Sequence, residues 1–364
     1  MRSELMRLAI VGTSGIPNNY GGFETLAEYL VKYLADQIDI TVYCSSKDMV
    51  SSFPEYNGAK LKYIPVTSHG VFGILYDSLS ILNAANQFDK ILLLGFGGGF
   101  VMPLLSKATK KKIIVNIGGL DWKRNKWSPT ARKVIKKAEE LLIKNCGYVI
   151  SDNIGIKDYL LKEYKRESTL ITYGGDQAMQ KEVADESRQQ YPFLNSNYAF
   201  IVTRIQRDNN INLMLDAFSA QDQLPFVMVG NWDNSDYGIE TKKQYSGKPN
   251  LILLDAIYDR DKLDVLRSNC TLYIHGHSVG GTNPSLAEAM YLGLPVIAFA
   301  SGYNEYTTAN EALYFSAAAE LTEIIKNYKS IDRKNIGNKL KEIAEKYYRW
   351  ERIAEQYKQV IVSN

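Results

Sequence analysis

A chain of 364 residues with 45% hydrophobic and 23% charged residues, 26 Gly and 10 Pro has globular composition and the length of two ordinary domains. Disordered and collagen-like chains are excluded. The net charge of +3 is too small to mark a nucleic-acid binder, and Cys44, Cys146 and Cys270, far apart and odd in number, offer neither a disulfide framework nor a zinc site.

The segment Met1 to Gly12 has charges within it and no apolar stretch ending in a small-residue cleavage site, so no secretory signal is read and a cytoplasmic location is expected. Leu8 to Val11 is a buried-strand candidate running into Gly12-Thr13-Ser14-Gly15-Ile16-Pro17, and Phe23 to Leu34 follows with helical spacing. Similar apolar runs recur at Ile40 to Cys44, Leu61 to Pro65, Ile91 to Leu94, Ile113 to Asn116 and Tyr148 to Ser151, with a helix over Ser128 to Asn145. The apolar stretch Ile91 to Leu105 is broken by four glycines and falls short of the ~20 residues of a spanning helix, so any membrane contact is peripheral.

A polar stretch, Asp176 to Asn197, is the expected hinge. Beyond it come strands at Ala199 to Thr203, Phe226 to Val229, Leu251 to Leu254, Leu272 to His275 and Val296 to Phe299. Helices are expected at Ile211 to Ala220, Leu263 to Asn269 and Pro284 to Leu292, and Arg333 to Ser363 reads as one long helical segment. Alternating strands and helices in both halves predict an α/β chain of two doubly wound, Rossmann-like domains with the working site in the cleft between them.

The most informative stretch is His275-Gly276-His277-Ser278-Val279-Gly280-Gly281-Thr282-Asn283-Pro284-Ser285-Leu286-Ala287-Glu288. A strand ends, a glycine loop follows, and a helix opens with Asn283 as its cap and Pro284 as its first residue. Free N–H groups there, with the helix dipole behind them, make Gly280, Gly281, Thr282, Asn283, Pro284 and Ser285 an anion site suited to a diphosphate. Glu288 suits sugar hydroxyls, the natural one being ribose, and Glu288→Ala is expected to reduce donor turnover with the fold intact. Gly21 and Gly22 let backbone approach a donor sugar or phosphate just before the first helix.

Glu288-Ala289-Met290 and Gly293-Leu294-Pro295-Val296-Ile297-Ala298 resemble the family-4-like retaining glycosyltransferases of the GT-B fold, whose first glutamate would fall at Gly280. Gly12 to Thr25 (Gly-Thr-Ser-Gly-Ile-Pro-Asn-Asn-Tyr-Gly-Gly-Phe-Glu-Thr), taken with His275 to Ser285, resembles the subgroup containing bacterial rhamnosyltransferases of capsule and O-antigen assembly. The resemblance covers nearly the whole chain. It implies an acceptor domain over 1–175, a nucleotide-sugar domain over 176–345, and a helix over 346–364 that crosses back onto the first. It implies an arginine and a lysine on the donor diphosphate: Arg204 stands at the arginine, Asn209 or Asn210 near the lysine, and Arg207 is a substitute. His277 is expected to contact the donor.

Asn116 to Trp127 also resembles the subgroup, which has an Asp at Gly118. Trp122 and Trp127 beside Lys123 and Arg124, with Phe23, suit a stacked sugar acceptor carrying a pyrophosphate. From Lys107 to Lys137 there are eleven Lys or Arg against one acid, Asp121, a patch for an anionic membrane surface at about 1 kcal/mol per well-placed cation.

The resemblance implies retention at the anomeric carbon. The expected reaction moves L-rhamnose from dTDP-L-rhamnose to a lipid-pyrophosphate-linked saccharide without metal or further cofactor, by same-face attack. Arg204 stabilises the leaving diphosphate, and Glu24 or Asp121 orients or deprotonates the acceptor. Alternatives are a UDP-sugar-dependent hexosyl- or N-acetylhexosaminyltransferase and a non-catalytic binder, for which Gly280 and Gly118 argue. A dinucleotide oxidoreductase is disfavoured because Gly12-Thr13-Ser14-Gly15 lacks the dinucleotide-binding glycine spacing and the second strand ends without an acid.

Overall fold

The structure, a computed structural model, describes residues 5–17, 21–124 and 127–363; Asn18, Asn19, Tyr20, Asn125 and Lys126 of the motifs above lie outside them. The chain divides into two units, one of Met1–Lys123, Trp127–Tyr173 and Trp350–Asn364, the other of Arg124–Lys126 and Gly174–Arg349.

The first unit runs β1 (Arg7–Val11), α1 (Gly22–Leu34), β2 (Asp39–Ser45), β3 (Glu55–Tyr56), β4 (Ala59–Ile64), α2 (Phe72–Ala84), β5 (Lys90–Leu94), α3 (Lys107–Lys112), β6 (Ile113–Ile117), α4 (Pro129–Asn145), β7 (Tyr148–Ser151), α5 (Ile154–Tyr164) and β8 (Thr169–Leu170). Its sheet has the order β3-β4-β2-β1-β5-β6-β7-β8, parallel except for β3 on β4. Leu8 pairs with Ile40 and Lys90, and strands flanked on both sides and covered on both faces take unbroken apolar runs such as Leu8-Ala9-Ile10-Val11, all fully buried.

The second unit follows with α6 (Asp185–Gln190), β9 (Ala199–Val202), α7 (Ile211–Ser219), β10 (Phe226–Val229), α8 (Asp236–Tyr245), β11 (Leu251–Leu254), α9 (Arg260–Ser268), β12 (Leu272–His275), α10 (Pro284–Tyr291), β13 (Val296–Phe299), α11 (Tyr303–Thr307), β14 (Leu313–Phe315), α12 (Ala318–Lys326) and α13 (Arg333–Tyr347). Its sheet is β11-β10-β9-β12-β13-β14 and wholly parallel. Numbered within the unit this is the 3-2-1-4-5-6 order of a doubly wound nucleotide-binding fold.

The polar stretch 176–197 carries some core: Leu194 is buried in the second unit's interior, with Tyr191 and Phe193 packed beside it. The helical segment Arg333 to Ser363 is divided in two. It breaks at Tyr348 and Arg349, where the Tyr348 hydroxyl donates to the Thr307 carbonyl at 2.6 Å in the second unit, and α14 (Trp350–Ser363) resumes in the first. There Trp350 stacks on Tyr29 with ring centroids 4.5 Å apart and meets Tyr173 edge-on at 4.7 Å, and the Asn116 amide bonds the buried Tyr357 hydroxyl.

One buried group opposes the fold at neutral pH. Burial on α2 raises the Asp77 carboxyl to about 8. A value raised above that of the unfolded chain means that the stability of the neutral form is complete below about pH 4 and is lost as pH climbs through 8. Asp77→Asn should therefore raise the melting temperature by several degrees at pH 8 and hardly at pH 4, read by thermal denaturation at both values.

Candidate active site

In the second unit the strand order reverses between β9 and β12, and a ligand crevice opens where loops leave neighbouring strands in opposite directions. The loop after β9 holds Arg204 to Asn210 and the loop after β12 holds Gly276 to Asn283. They are stitched together: Asn209 Nδ2 donates to the Arg204 carbonyl at 2.6 Å, Asn210 Nδ2 donates to the Gly276 carbonyl at 2.8 Å, and Ser278 donates to the Asp208 carbonyl through N–H at 2.9 Å and hydroxyl at 2.7 Å. With its amide nitrogen so engaged, Asn209 presents Oδ1 to His277 Nδ1 at 2.6 Å, and the ring also bonds the Val279 backbone.

His277 is buried and neutral. Burial, then the charge of Arg124, the neighbouring His275 and the charge of Arg204, hold it well below the usual histidine value. Two guanidinium groups thus bear on one uncharged ring. Arg124, expected among acceptor residues, groups instead with the second unit, its Nη1 3.3 Å from the buried Asp208 carboxylate. The Arg207 guanidinium lies over the Tyr237 ring at 4.6 Å.

Asn283 caps α10 as expected, its Oδ1 accepting from the Ser285 N–H at 3.0 Å, with Pro284 first in the helix; Gly281 and Thr282 are buried beside it. A glutamate at Gly280 would be misplaced twice over. The backbone there has φ of +143°, and a Cβ would stand 2.9 Å from His277 Nε2. His275 is fully enclosed, both ring nitrogens lack partners, and burial lowers it to about 3. Among the described residues no three His, Cys, Asp or Glu are arranged to hold a metal ion.

Glu288 differs from its sequence reading. Its carboxylate pairs with Arg267, itself 2.5 Å from Asp264, and accepts from Gln177 Nε2 at 2.6 Å; the three ionic side chains are 18%, 4% and 5% exposed. Glu288 is therefore part of a buried ion triad, and Glu288→Ala would strand a buried arginine charge rather than leave the fold intact. Nothing in the spacing of Asp264, Arg267 and Glu288 announces this.

In the first unit, Glu24 folds back against Gly21, whose φ of +130° and missing Cβ make room for the carboxylate. Its Oε1 accepts from the Ser14 N–H at 2.8 Å, and burial raises its pKa. Ser14 Oγ lies 2.7 Å from Ser68 Oγ, and Ser68 donates to Asp48 at 2.7 Å. Burial would raise Asp48, but bonds from Ser68 and Thr67 outweigh it and hold this carboxyl below its usual value. One chain of hydroxyls thus joins a carboxyl inclined to keep its proton to one inclined to lose it. Gly22 is exposed at the start of α1. Phe23 lies over the ends of β5 and β6: a Cβ at Gly118 would be 3.1 Å from its ring and 3.2 Å from the Asp152 carboxylate, so a larger residue there needs the neighbouring side chains to shift.

Trp122 is already engaged. The Lys136 ammonium sits 4.6 Å from its ring centroid, 4.7 Å from that of Tyr159 and 4.8 Å from that of Tyr164, while the buried Glu139 accepts from both tyrosine hydroxyls. Lys123 lies 5.4 Å from the Trp122 ring, Trp127 gives its carbonyl to Arg132, and Asp121 is partly exposed at the start of the turn Asp121–Lys123.

Residues 5–176 match the family described as Domain of unknown function (DUF1972), and residues 183–349 match Glycosyl transferases group 1. No curated protein matches the chain. Among solved structures, sucrose-phosphate synthase from Thermosynechococcus elongatus superposes with a TM-score of 0.80 at 18% identity, over 99% of this chain and 100% of that one. Anabaena HepE in complex with UDP gives 0.76 at 16%, over 99% and 100%, and a glycosyltransferase from Rickettsia africae 0.73 at 14%, over 100% of both. These identities establish a shared GT-B fold, and the family matches place a DUF1972 domain over residues 5–176 ahead of a group 1 glycosyltransferase domain over residues 183–349.

Proposed function

We propose that the protein is a retaining transferase moving L-rhamnose from dTDP-L-rhamnose to a hydroxyl of a lipid-pyrophosphate-linked saccharide in bacterial cell-surface polysaccharide synthesis. The observation that carries it is the convergence of Arg124 and Arg204 on a neutral His277 beside the start of α10. Positive charge gathered around an uncharged ring suits a diphosphate next to a sugar hydroxyl. As the bond from the anomeric carbon to the diphosphate breaks, its electron pair passes to the leaving oxygen, and Arg204, Arg124 and the helix start stabilise that charge. His277 contacts the donor, and Glu288, held by Arg267 and Gln177, keeps lone pairs for ribose. The first unit takes the acceptor through Phe23 and its neighbours, with Glu24 receiving or orienting the hydroxyl proton.

The long glycine motifs at Gly12 to Thr25 and His275 to Ser285 support rhamnose. A second reading, a UDP-sugar donor, is favoured by the likeness to HepE, whose structures hold UDP and UDP-glucose. Thermal denaturation with dTDP-L-rhamnose, UDP-glucose and UDP-N-acetylglucosamine separates the two. The rhamnose donor at 100 times its Kd should stabilise by about 2.7 kcal/mol, and a larger shift from either UDP-sugar would establish the second reading instead.

Glu24→Gln should lower kcat by roughly 100-fold or more with donor stabilisation unchanged. Because burial raises the Glu24 pKa, the wild-type rate should climb with pH along a limb above the ordinary carboxylate range, and the variant's pH profile should lack that limb. Glu288→Gln should keep the fold and raise the donor KM about tenfold, whereas Glu288→Ala should lose about 3–5 kcal/mol of stability, measured by urea unfolding.

A further inference from the structure

The helix α2, Phe-Gly-Ile-Leu-Tyr-Asp-Ser-Leu-Ser-Ile-Leu-Asn-Ala, contains no Lys, Arg or Glu, and its one charged residue, Asp77, is buried. Its inner arc of Tyr76, Ser80, Ile81 and Ala84 packs on the unit's interior as any amphipathic helix would. The outer arc is apolar too. Phe72, Leu75, Leu79 and Leu82 follow at intervals of three and four residues and are 57%, 47%, 38% and 48% exposed. A helix apolar all round with one side open to water is built to be covered.

The apolar face continues beyond α2. The 3-10 segment Gly97–Leu104 lies between α2 and α4: a side chain at Gly97 would strike Asp77, one at Gly98 would strike Ile81, and one at Gly99 would strike the backbone of Ala138. From this segment Phe100 and Leu104 project outward, 39% and 81% exposed. The connections through α2 and α4 both step the same way across the sheet, so right-handed crossing puts the two helices on one face.

Cations border it. Lys107, Lys110, Lys111 and Lys112 follow Leu104 on α3, and Lys133 is exposed on α4. α3 carries no acid, and those of α4 leave this charge standing, because Glu139 is buried among tyrosines and Glu140 is shared between Lys137 and Lys144; Lys112 alone of the α3 lysines donates to a backbone carbonyl, that of Phe88, among the described bonds. A symmetric contact between two copies of this face would bring lysine against lysine. An anionic surface would not.

We propose that the outer face of α2 and the Gly97–Leu104 segment seats on an anionic lipid bilayer, with the leucines in the interface and the α3 lysines over the headgroups. At 13 residues α2 lies on the surface rather than across it, and among the described residues no helix is long and apolar enough to cross a membrane. The inference deepens the lipid-linked acceptor reading and rests on it for its purpose, though not for its geometry.

The test is co-sedimentation of the full chain with phosphatidylcholine vesicles, with and without phosphatidylglycerol. Wild type should bind only the phosphatidylglycerol vesicles and be released by salt. Leu75→Glu with Leu79→Glu, and separately Lys110→Glu with Lys111→Glu, should each weaken binding at least tenfold while nucleotide-sugar stabilisation stays intact. Wild type that ignores the charged vesicles, leucine variants that bind as well as wild type, or a dimer that dissociates on the leucine changes without vesicle binding would each overturn it. Loss of the transferase reading would instead appear as no stabilisation by any nucleotide sugar with vesicle binding unchanged.

Discussion

Reversal of strand order at β9 and β12 leaves two loops whose backbones must be satisfied by something other than each other's ladder. Uncharged asparagines do this. Asn209 and Asn210 reach from one loop to the Arg204 and Gly276 carbonyls, and Asn304, at the start of α11, donates to the His277 carbonyl at 2.9 Å. Because these braces carry no charge, they fix the loops without cancelling the field of the arginines, and Asn209 holds the His277 ring as well. Scaffold and electrostatics are separated. Lysines in place of the asparagines would have merged them.

Five carboxyls in this chain show how environment sorts chemically similar groups. Glu288 pairs with a buried arginine, and Glu139 meets two tyrosines and a lysine. Asp48 accepts from Ser68 and Thr67 and stays ionised, whereas burial raises Glu24 and Asp77. Of the two raised groups, Glu24 sits in the first turn of α1, and Asp77 sits on the inner side of α2. Proton transfer needs both a shifted group and a path to it, and only Glu24 is joined by hydroxyls to a second carboxylate.

Much of the architecture was legible because parallel strands flanked and covered on all sides leave apolar runs, and every long strand of both sheets carries one. The cap at Asn283 and the opening Pro284 were legible for an equally local reason. What escaped was non-local or short. β3, β8 and β14 are two or three residues long, below any periodic signal. The split between α13 and α14 has no glycine or proline to mark it, since Tyr348 is drawn aside by a carbonyl 41 positions away. Arg124 sits among acceptor candidates in sequence yet joins Asp208, and the ion pairing of Glu288 was hidden because its partner Arg267 lies on another helix.

The placement of α14 has a temporal side. Trp350 and Tyr357 complete an interior otherwise made from residues before Tyr173, while every residue of the other sheet is encoded between them. A nascent chain leaving the ribosome therefore completes its second lobe before its first can be sealed, and Tyr29, Tyr173 and Asn116 wait uncovered through the synthesis of some 175 residues. For that interval the early lobe depends on its sheet alone, or on a chaperone, to keep an aromatic seam from finding the wrong surface.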